Sequence, residues 1–272
     1  MNSIPVIGVP IVNGAHWLKR LVDSIDYPVD DLVIINNNGR GEITEQLDEI
    51  VNQGSPFVKT IKVCHMPSNI GCPGAWNLII KCYMMCPYWI IVNNDVAFTP
   101  GLLQKMNEAA QVKDGFGTIH VSAVLNESEV NESMSGKFNF DLLPPFDLFL
   151  IKDWVVQTYG LFDENCYPAY CEDTDYIMRL RTGSVRAKII NERYFHGDTY
   201  YYEQSGSQTQ KSETEDINSK VFEAYQANLC YYIPRKWGDN WKIDPDIKLS
   251  NLSCPLNPLY DLAFCRSKNL GF

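Results

Sequence analysis

The stretch "YWIIVNNDVAFTP" (residues 88–100) joins a short apolar run directly to two amides and a carboxylate. The β-branched and aromatic residues of the run predict a buried strand. Asn93, Asn94 and Asp95 follow where that strand ends. Thr99 and Pro100 then predict a helix start, with Thr99 as N-cap and Pro100 at the first helical position. A turn favours the same residue types as a ligand site, so this stretch alone leaves both interpretations open.

The same alternation of strand and helix extends on both sides of this stretch. Amphipathic helices are predicted between short apolar strands, which is typical of an α/β fold with a mostly parallel central sheet and helices on both faces. Before it, we predict strands at residues 4–12, 31–37 and 57–66 and helices at 15–25, 41–54 and 74–85. After it, we predict strands and a short helix within residues 117–125 and 146–160, a helix over 172–184 that ends at Gly183, and a returning strand at 186–191.

The chain divides by composition into a large first part and a shorter second part. Residues 1–202 predict one α/β domain, and the polar residues 203–216 predict a loop or linker without apolar periodicity. Residues 217–272 predict a C-terminal extension with one helical pattern, packed on the domain or on an oligomer partner. Its role is left open between covering a site, forming a homo-oligomer contact and completing the core.

Composition and charge exclude several classes of protein. The 272 residues are 45% hydrophobic and carry a formal net charge of −10, which predicts a folded chain and argues against binding nucleic acid or anionic membranes by bulk electrostatics. No apolar run is long enough for a transmembrane segment, and the N-terminus does not resemble a secretory signal. Nine cysteines without a CxxC pair favour reduced thiols and a cytoplasmic location.

Ligands of open α/β sheets bind at the carboxyl ends of the parallel strands. In this chain the four corresponding strand ends are rich in small and amide-bearing residues: 10–13, 36–38, 67–71 and 93–95. Such residues offer hydrogen bonds to a polar ligand without filling the space it needs.

A second stretch, "GLFDENCYPAYCEDTDYIMRLRTGSVRAKII" (residues 160–190), resembles a segment of the inverting family 2 glycosyltransferases, whose fold is the GT-A (nucleotide-diphospho-sugar transferase) fold. Four earlier segments are similar to the same family in the same order: "VIGVPIVNGAHWLKRLVDSI", "DLVIINNNG", "SNIGCPGAWN" and "YWIIVNNDV". The resemblance as a whole spans residues 4–196. The layout is most similar to the rhamnosyltransferase-like branch.

The resemblance implies a catalytic pair, Asp173 as the base that takes the acceptor proton and Glu172 as its neighbour. Two acidic residues at a helix start also complement the helix dipole, which is the structural alternative. Asp175 and Arg179, four residues apart on the same helix, predict an ion pair.

The resemblance also implies a metal and a nucleotide site. Asp95 is implied as the ligand of Mn²⁺ or Mg²⁺, with Asn93 standing where the family often has Asp, and His196 is implied as a contact to the metal or the diphosphate. The residues implied to line the nucleotide pocket are Pro10, Val12, Asn13, Asn36, Asn38, Asn69, Gly71, Asn77, Asn93 and Asn94.

The resemblance implies an inverting glycosyltransferase with a nucleoside-diphosphate sugar donor, dTDP- or UDP-linked and with rhamnose as one candidate, and a glycan or glycoconjugate hydroxyl as acceptor. Two alternatives are left open. One is a nucleotide-sugar-binding module without transfer activity, and the other is a nucleotidyltransferase, although the loop after the first strand lacks the Gly-rich basic sequence expected of the latter.

Overall fold

The computed structural model describes residues 2–39, 41, 43–122, 146–200 and 223–238. The predicted linker at 203–216 lies outside the described residues, so the predicted domain boundaries stay predictions. The chain runs in the order β1 Ile4–Ile11, α1 Ala15–Asp23, β2 Val29–Asn36, α2 Thr44–Gln53, β3 Val58–His65, α3 Gly71–Cys82, β4 Tyr88–Val92, β5 Val96–Ala97, α4 Leu102–Gln111, β6 Phe116–Val121, β7 Leu148–Lys152, α5 Asp153–Tyr159, α6 Glu172–Thr182, β8 Arg186–Ile190, β9 Phe195–His196 and β10 Thr199–Tyr200. A π-helical turn, Asn228–Tyr232, continues into α7, Ile233–Trp237.

The described residues form a seven-stranded sheet in the order β3-β2-β1-β4-β7-β6-β8. Strands β1 to β4 are parallel to one another, and β6 is parallel to β8. Strand β7 runs antiparallel to both of its neighbours, β4 and β6. The predicted α/β fold with a mostly parallel sheet is therefore confirmed.

Side chains of each central strand alternate between two cores, as the pleat of a strand requires. In β2, Leu32 and Ile34 enter the core covered by α1, α2 and α4, whereas Val33 and Ile35 enter the core covered by α3, α5 and α6. Gly8 of β1 lies so close to Ile79 of α3 that an added Cβ would be 2.5 Å from its side chain. Helices thus cover both faces of the sheet, as predicted.

The register brings the carboxyl ends of the parallel strands together. Ile11 at the end of β1 lies opposite Asn36 at the end of β2, and Asn36 lies opposite His65 at the end of β3. The loops that follow these strands therefore share one edge of the sheet, which is the edge expected to bind ligands.

Helix α4 begins later than predicted, because the residues before it bond to other loops. Its N-cap is Gly101, and the Gly101 amide donates to Asp26 Oδ2 at 2.7 Å. The Thr99 hydroxyl donates instead to the Arg193 carbonyl at 2.6 Å, so the prediction of Thr99 as N-cap was wrong. No side chain caps this helix, and the hydroxyl that local sequence suggested as its cap is bonded to a distant loop instead.

Two further observations concern the helices and the cysteines of the described ranges. None of the helices in the described ranges is both long and apolar enough to cross a bilayer. The seven cysteines within those ranges are free thiols.

Candidate active site

A small second sheet brings His196 to Asp95. Strand β5, directly after Asp95, pairs with β9, so that Val96 lies opposite His196. The Gly197 amide donates to the Asp95 carbonyl at 2.6 Å, and His196 Nε2 lies 3.3 Å from Asp95 Oδ1. Arg20 of α1 donates from Nη1 to the Gly197 carbonyl and holds the same turn from the other side. The two residues predicted as metal ligands therefore lie together in the fold, and both are buried.

Asp147 is a third buried member of this cluster, and sequence reasoning missed it. Its Oδ2 accepts the Tyr194 hydroxyl at 2.7 Å and lies 3.6 Å from His196 Nδ1. Burial raises the pKa of the Asp147 carboxyl, although His196 and Tyr194 oppose the rise. The His196 ring thus lies between two carboxylates, those of Asp95 and Asp147.

The direction of β7 explains the position of Asp147. Because β7 is antiparallel to β4, its amino end lies beside the carboxyl end of β4: Val92 pairs with Leu148, and the Asn93 amide donates to the Asp147 carbonyl at 2.8 Å. The rule for open α/β sheets points to residues that follow parallel strands. A residue that precedes an antiparallel strand reaches the same edge and escapes that rule.

The Asp95 and His196 side chains suit a hard divalent cation bound with a diphosphate. Two adjacent ligands of one Mg²⁺ or Mn²⁺ ion lie about 3 Å apart, close to the 3.3 Å between Asp95 Oδ1 and His196 Nε2. The described residues contain no group of three or more His, Cys, Asp or Glu side chains arranged to hold a metal. An ion there would take its other ligands from phosphate oxygens and water, as Mg²⁺ commonly does.

The Glu172–Asp173 pair opens α6. Glu172 is buried, and burial together with the charge of Asp173 raises its pKa well above the ordinary value. Burial also raises the pKa of Asp173, whose Oδ1 accepts the Thr174 amide at 2.6 Å. Asp173 thus bonds within the first turn of α6, where its charge complements the helix dipole. The same carboxylate, with its raised pKa, is suited to accept a proton.

Residues of α3 connect this pair to the strand ends. The Cys72 amide donates to the Pro168 carbonyl at 2.6 Å, and the Cys72 thiol opposes the rise that burial causes in the pKa of Glu172. Asn37, after β2, donates from Nδ2 to the Gly71 carbonyl at 3.2 Å. These contacts place the carboxylate pair at the same edge of the sheet as the ends of β1 and β2.

The loop after β1 is braced by two of the predicted nucleotide residues. Asn38 donates to the Val12 carbonyl at 2.9 Å, and Asn94 donates to the Asn13 carbonyl at 2.9 Å. Pro10 is the penultimate residue of β1 and leads into this loop. The braced loop lies between the ends of β2 and β4, where a nucleotide could contact its backbone.

Three other predicted residues have side chains bonded within the protein. Asn36 is buried; its Nδ2 meets His65 Nδ1 at 3.0 Å and its Oδ1 accepts the Asn38 amide. The Asn77 amide group bonds to both the N–H and the C=O of Phe162. Asn69 Oδ1 accepts the Gly71 amide at 2.8 Å. Their roles toward a nucleotide stay predictions.

Asn37 lies in the predicted strand-end stretch 36–38 but was not among the residues implied to line the nucleotide pocket. It is 2% exposed, and its Oδ1 has no hydrogen-bond partner within the described ranges. A buried amide oxygen at this edge of the sheet is available to a ligand donor. The sequence feature that pointed to Asn37 was its position between Asn36 and Asn38.

Gly71 has a left-handed backbone, with φ +79°, and an added Cβ would lie 3.0 Å from the Pro168 carbonyl oxygen and 3.0 Å from the Tyr167 ring. We expect Gly71→Ala to lower the free energy of unfolding by about 1–3 kcal/mol, since strain and the clash both oppose the native state. Urea denaturation would measure the loss.

Gly54→Ala is the matched control for this prediction. Gly54 also has a positive φ, +64°, but among the described atoms none lies within 4 Å of an added Cβ. An equal loss in both variants would show that the contact between Gly71 and residues 167–168 contributes nothing.

The mostly parallel sheet with helices on both faces is the architecture of the GT-A fold, which the family match and the solved structures below support. Residues 6–165 match the glycosyl transferase family 2 domain, and the chain belongs to that family.

A curated relative, a galactofuranosyl glycosyltransferase of Leishmania donovani, is 22% identical over 242 residues. The match covers 71% of this chain and 54% of the relative, so the chain spans about half of that protein.

Two solved structures share the fold at low sequence identity. The mannosyltransferase PcManGT from Pyrobaculum calidifontis, in complex with GDP-Man and Mn²⁺, aligns with a TM-score of 0.53 and 14% identity, over 84% of this chain and 64% of that one. Staphylococcus aureus TarS 1–349 aligns with a TM-score of 0.51 and 14% identity, over 99% of this chain and 88% of that one.

Proposed function

We propose that the protein is an inverting glycosyltransferase that moves a sugar from a nucleoside-diphosphate donor to a hydroxyl of a glycan or glycoconjugate. A dTDP- or UDP-sugar is the proposed donor, with rhamnose as one candidate. The observation that carries the proposal is that two pairs of titratable side chains lie at one edge of the sheet: Asp95 with His196, and Glu172 with Asp173. Family membership favours this function over nucleotidyl transfer.

We assign the two pairs of side chains to opposite sides of the reacting sugar carbon. Inverting transfer needs a base for the acceptor hydroxyl on one side of the anomeric carbon and stabilisation of the departing diphosphate on the other. Asp173, with a raised pKa and half-buried, is the proposed base. Glu172, more deeply buried beside it, keeps a proton to higher pH and orients Asp173 or the acceptor.

The leaving diphosphate is assigned to the Asp95–His196 side. Asp95 and His196 would hold Mn²⁺ or Mg²⁺ there, and the ion when bound would neutralise charge on the diphosphate. The loop from Pro10 to Asn13, braced by Asn38 and Asn94, is proposed to contact the nucleoside. Asp147 supports His196 from the opposite side of its ring.

Nucleotide binding tests this proposal directly. We expect one of UDP, dTDP or GDP to raise the thermal unfolding midpoint by several degrees, and Mn²⁺ to increase that rise, because a ligand that binds only the folded state stabilises it. Asp95→Asn should abolish the increase caused by Mn²⁺ because it removes the carboxylate ligand. Differential scanning fluorimetry, followed by calorimetry for the best nucleotide, gives the measurement.

Asp198→Asn is the control, since Asp198 lies in the same turn as His196 but its side chain is 81% exposed. It should keep the full Mn²⁺ effect. If no nucleoside diphosphate stabilised the protein with or without metal, the proposed function would lose its support.

A further inference from the structure

The backbone that leads into the carboxylate pair is strained. Tyr170 has φ 74° and Cys171 has φ 71°, and neither residue is glycine. The left-handed region brings Cβ close to the following carbonyl oxygen, so a non-glycine residue adopts it at a cost. Two such residues in succession persist only where surrounding contacts hold them. Glu172 and Asp173 follow at once.

Asn228, from the π-helical turn near the C-terminus, supplies two of these contacts. Its Nδ2 donates to the Ala169 carbonyl at 3.1 Å and to the Tyr170 carbonyl at 3.0 Å. The side chain is 5% exposed, so water does not replace these bonds readily. The Tyr225 ring also packs edge-on against the Tyr170 ring, with 5.4 Å between their centroids.

The segment that carries Asn228 is fixed to α6 itself. Ile233 and Trp237 share a buried cluster with Cys171 and Met178. The Trp237 indole donates to Asp175 Oδ1 at 2.8 Å, and Lys236 Nζ lies 2.7 Å from the same atom. The position of Asn228 is therefore set relative to the helix that begins with the carboxylate pair.

We propose that Asn228 is a positioning residue for Glu172 and Asp173. By holding two consecutive carbonyls, it sets the direction in which the chain enters α6 and so the direction in which the two carboxylates point. This inference rests on the proposed function, and it assigns a role to a residue beyond the 6–165 range of the family match. The C-terminal segment 223–238 then belongs to the catalytic unit.

The test compares Asn228→Asp and Asn228→Ala with the wild-type protein. Asp has the shape of Asn but presents an oxygen where the donor was, so it loses both bonds. We expect the turnover number to fall about 10- to 100-fold in both variants, because small displacements of catalytic groups have effects of this size. Nucleotide dissociation constants should stay within about twofold, since donor binding is assigned to the Asp95 side.

Hydrogen exchange gives a readout that does not depend on transfer. Peptides covering residues 166–174 should exchange faster in both variants, whereas β1 to β4 should be unchanged. Cys230→Ala is the control, because Cys230 lies two residues further along the same helical segment and is exposed. It should match the wild type in all three measurements.

The outcomes separate this inference from the proposed function. Unchanged exchange at residues 166–174 in Asn228→Asp overturns the inference whatever the protein catalyses. Faster exchange with an unchanged turnover number overturns the positioning role, as does a loss of activity that equals the fraction of unfolded protein. If exchange is faster but the wild type transfers no sugar from any donor, the loop contact is supported and the proposed function is contradicted.

Discussion

Asp173→Asn is expected to lower the turnover number of glycosyl transfer by about 10²- to 10⁴-fold, the range that a general base contributes. The amide keeps the shape of the carboxylate but does not take a proton from an acceptor hydroxyl. The dissociation constant of the donor nucleotide should change little, because Asp95 and the loop after β1 are proposed to bind it. Steady-state kinetics with calorimetry of nucleotide binding would measure both quantities.

The raised pKa of Asp173 also predicts the direction in which activity changes with pH. Burial raises the pKa of Asp173, and the base acts in its deprotonated form. We therefore expect kcat/KM to rise with pH through a pKa above the ordinary aspartate value of about 3.9. Asp153→Asn is the matched control, since Asp153 also lies in the first turn of a helix, α5, and should leave the profile unchanged. Full turnover in Asp173→Asn would remove this residue from the mechanism.

Lys236→Met is expected to lower the free energy of unfolding by about 3–5 kcal/mol, the usual cost of removing one partner from a buried ion pair. Lys236 Nζ lies 2.5 Å from Asp163 Oδ2 and 2.7 Å from Asp175 Oδ1, and its side chain is 14% exposed. The variant leaves two buried carboxylates without their shared cation. Denaturant unfolding at pH 7 would measure the loss.

The loss should shrink in acid. Burial opposes the ionised form of Asp163, but Lys236 and Tyr232 outweigh it and lower the pKa of that carboxyl. The stabilisation is thus present above the ordinary aspartate pKa and is lost as the pH falls through the folded pKa. Arg235→Met removes an exposed cation from the same helix and should cost about 0.5 kcal/mol or less. An equal cost for both variants would contradict the role given to Lys236.

Local pattern was sufficient for most of the fold. Strands β1 to β4 and helices α1 to α3 lie within a few residues of where periodicity predicts them, because the spacing of apolar residues determines which face of each element is buried. The short strand β5 was not predicted. The ion pair between Asp175 and Arg179 is confirmed, with Arg179 Nε 3.0 Å from Asp175 Oδ2, since residues four apart on a helix are neighbours. The predicted start of α4 was wrong because the Thr99 hydroxyl, expected to cap the helix, bonds to the carbonyl of Arg193, far away in the chain.

The candidate site was predicted only in part. Glu172 and Asp173 were predicted as a pair, and Asp95 and His196 as metal contacts. The pairing of β5 with β9 is what brings Asp95 and His196 together. Their chemical roles, and those of the nucleotide-site residues, stay predictions. Asn36 and Asn77 show why: both carry the expected residue type, yet their amides bond to protein groups, which local sequence does not reveal.

Periodicity and strand-end composition predicted the class of fold and the edge of the sheet that bears the candidate site, because each depends on neighbours in the chain. The acidic pair that opens α6 was implied by the resemblance to family 2 glycosyltransferases. The tertiary structure decided the rest. Asp147 reaches His196 because β7 runs antiparallel beside β4, and Asn228 and Lys236 reach the loop and helix of the carboxylate pair because the C-terminal segment packs against α6. These contacts join residues tens of positions apart, and no local pattern encodes the strand direction or helix docking that brings them together.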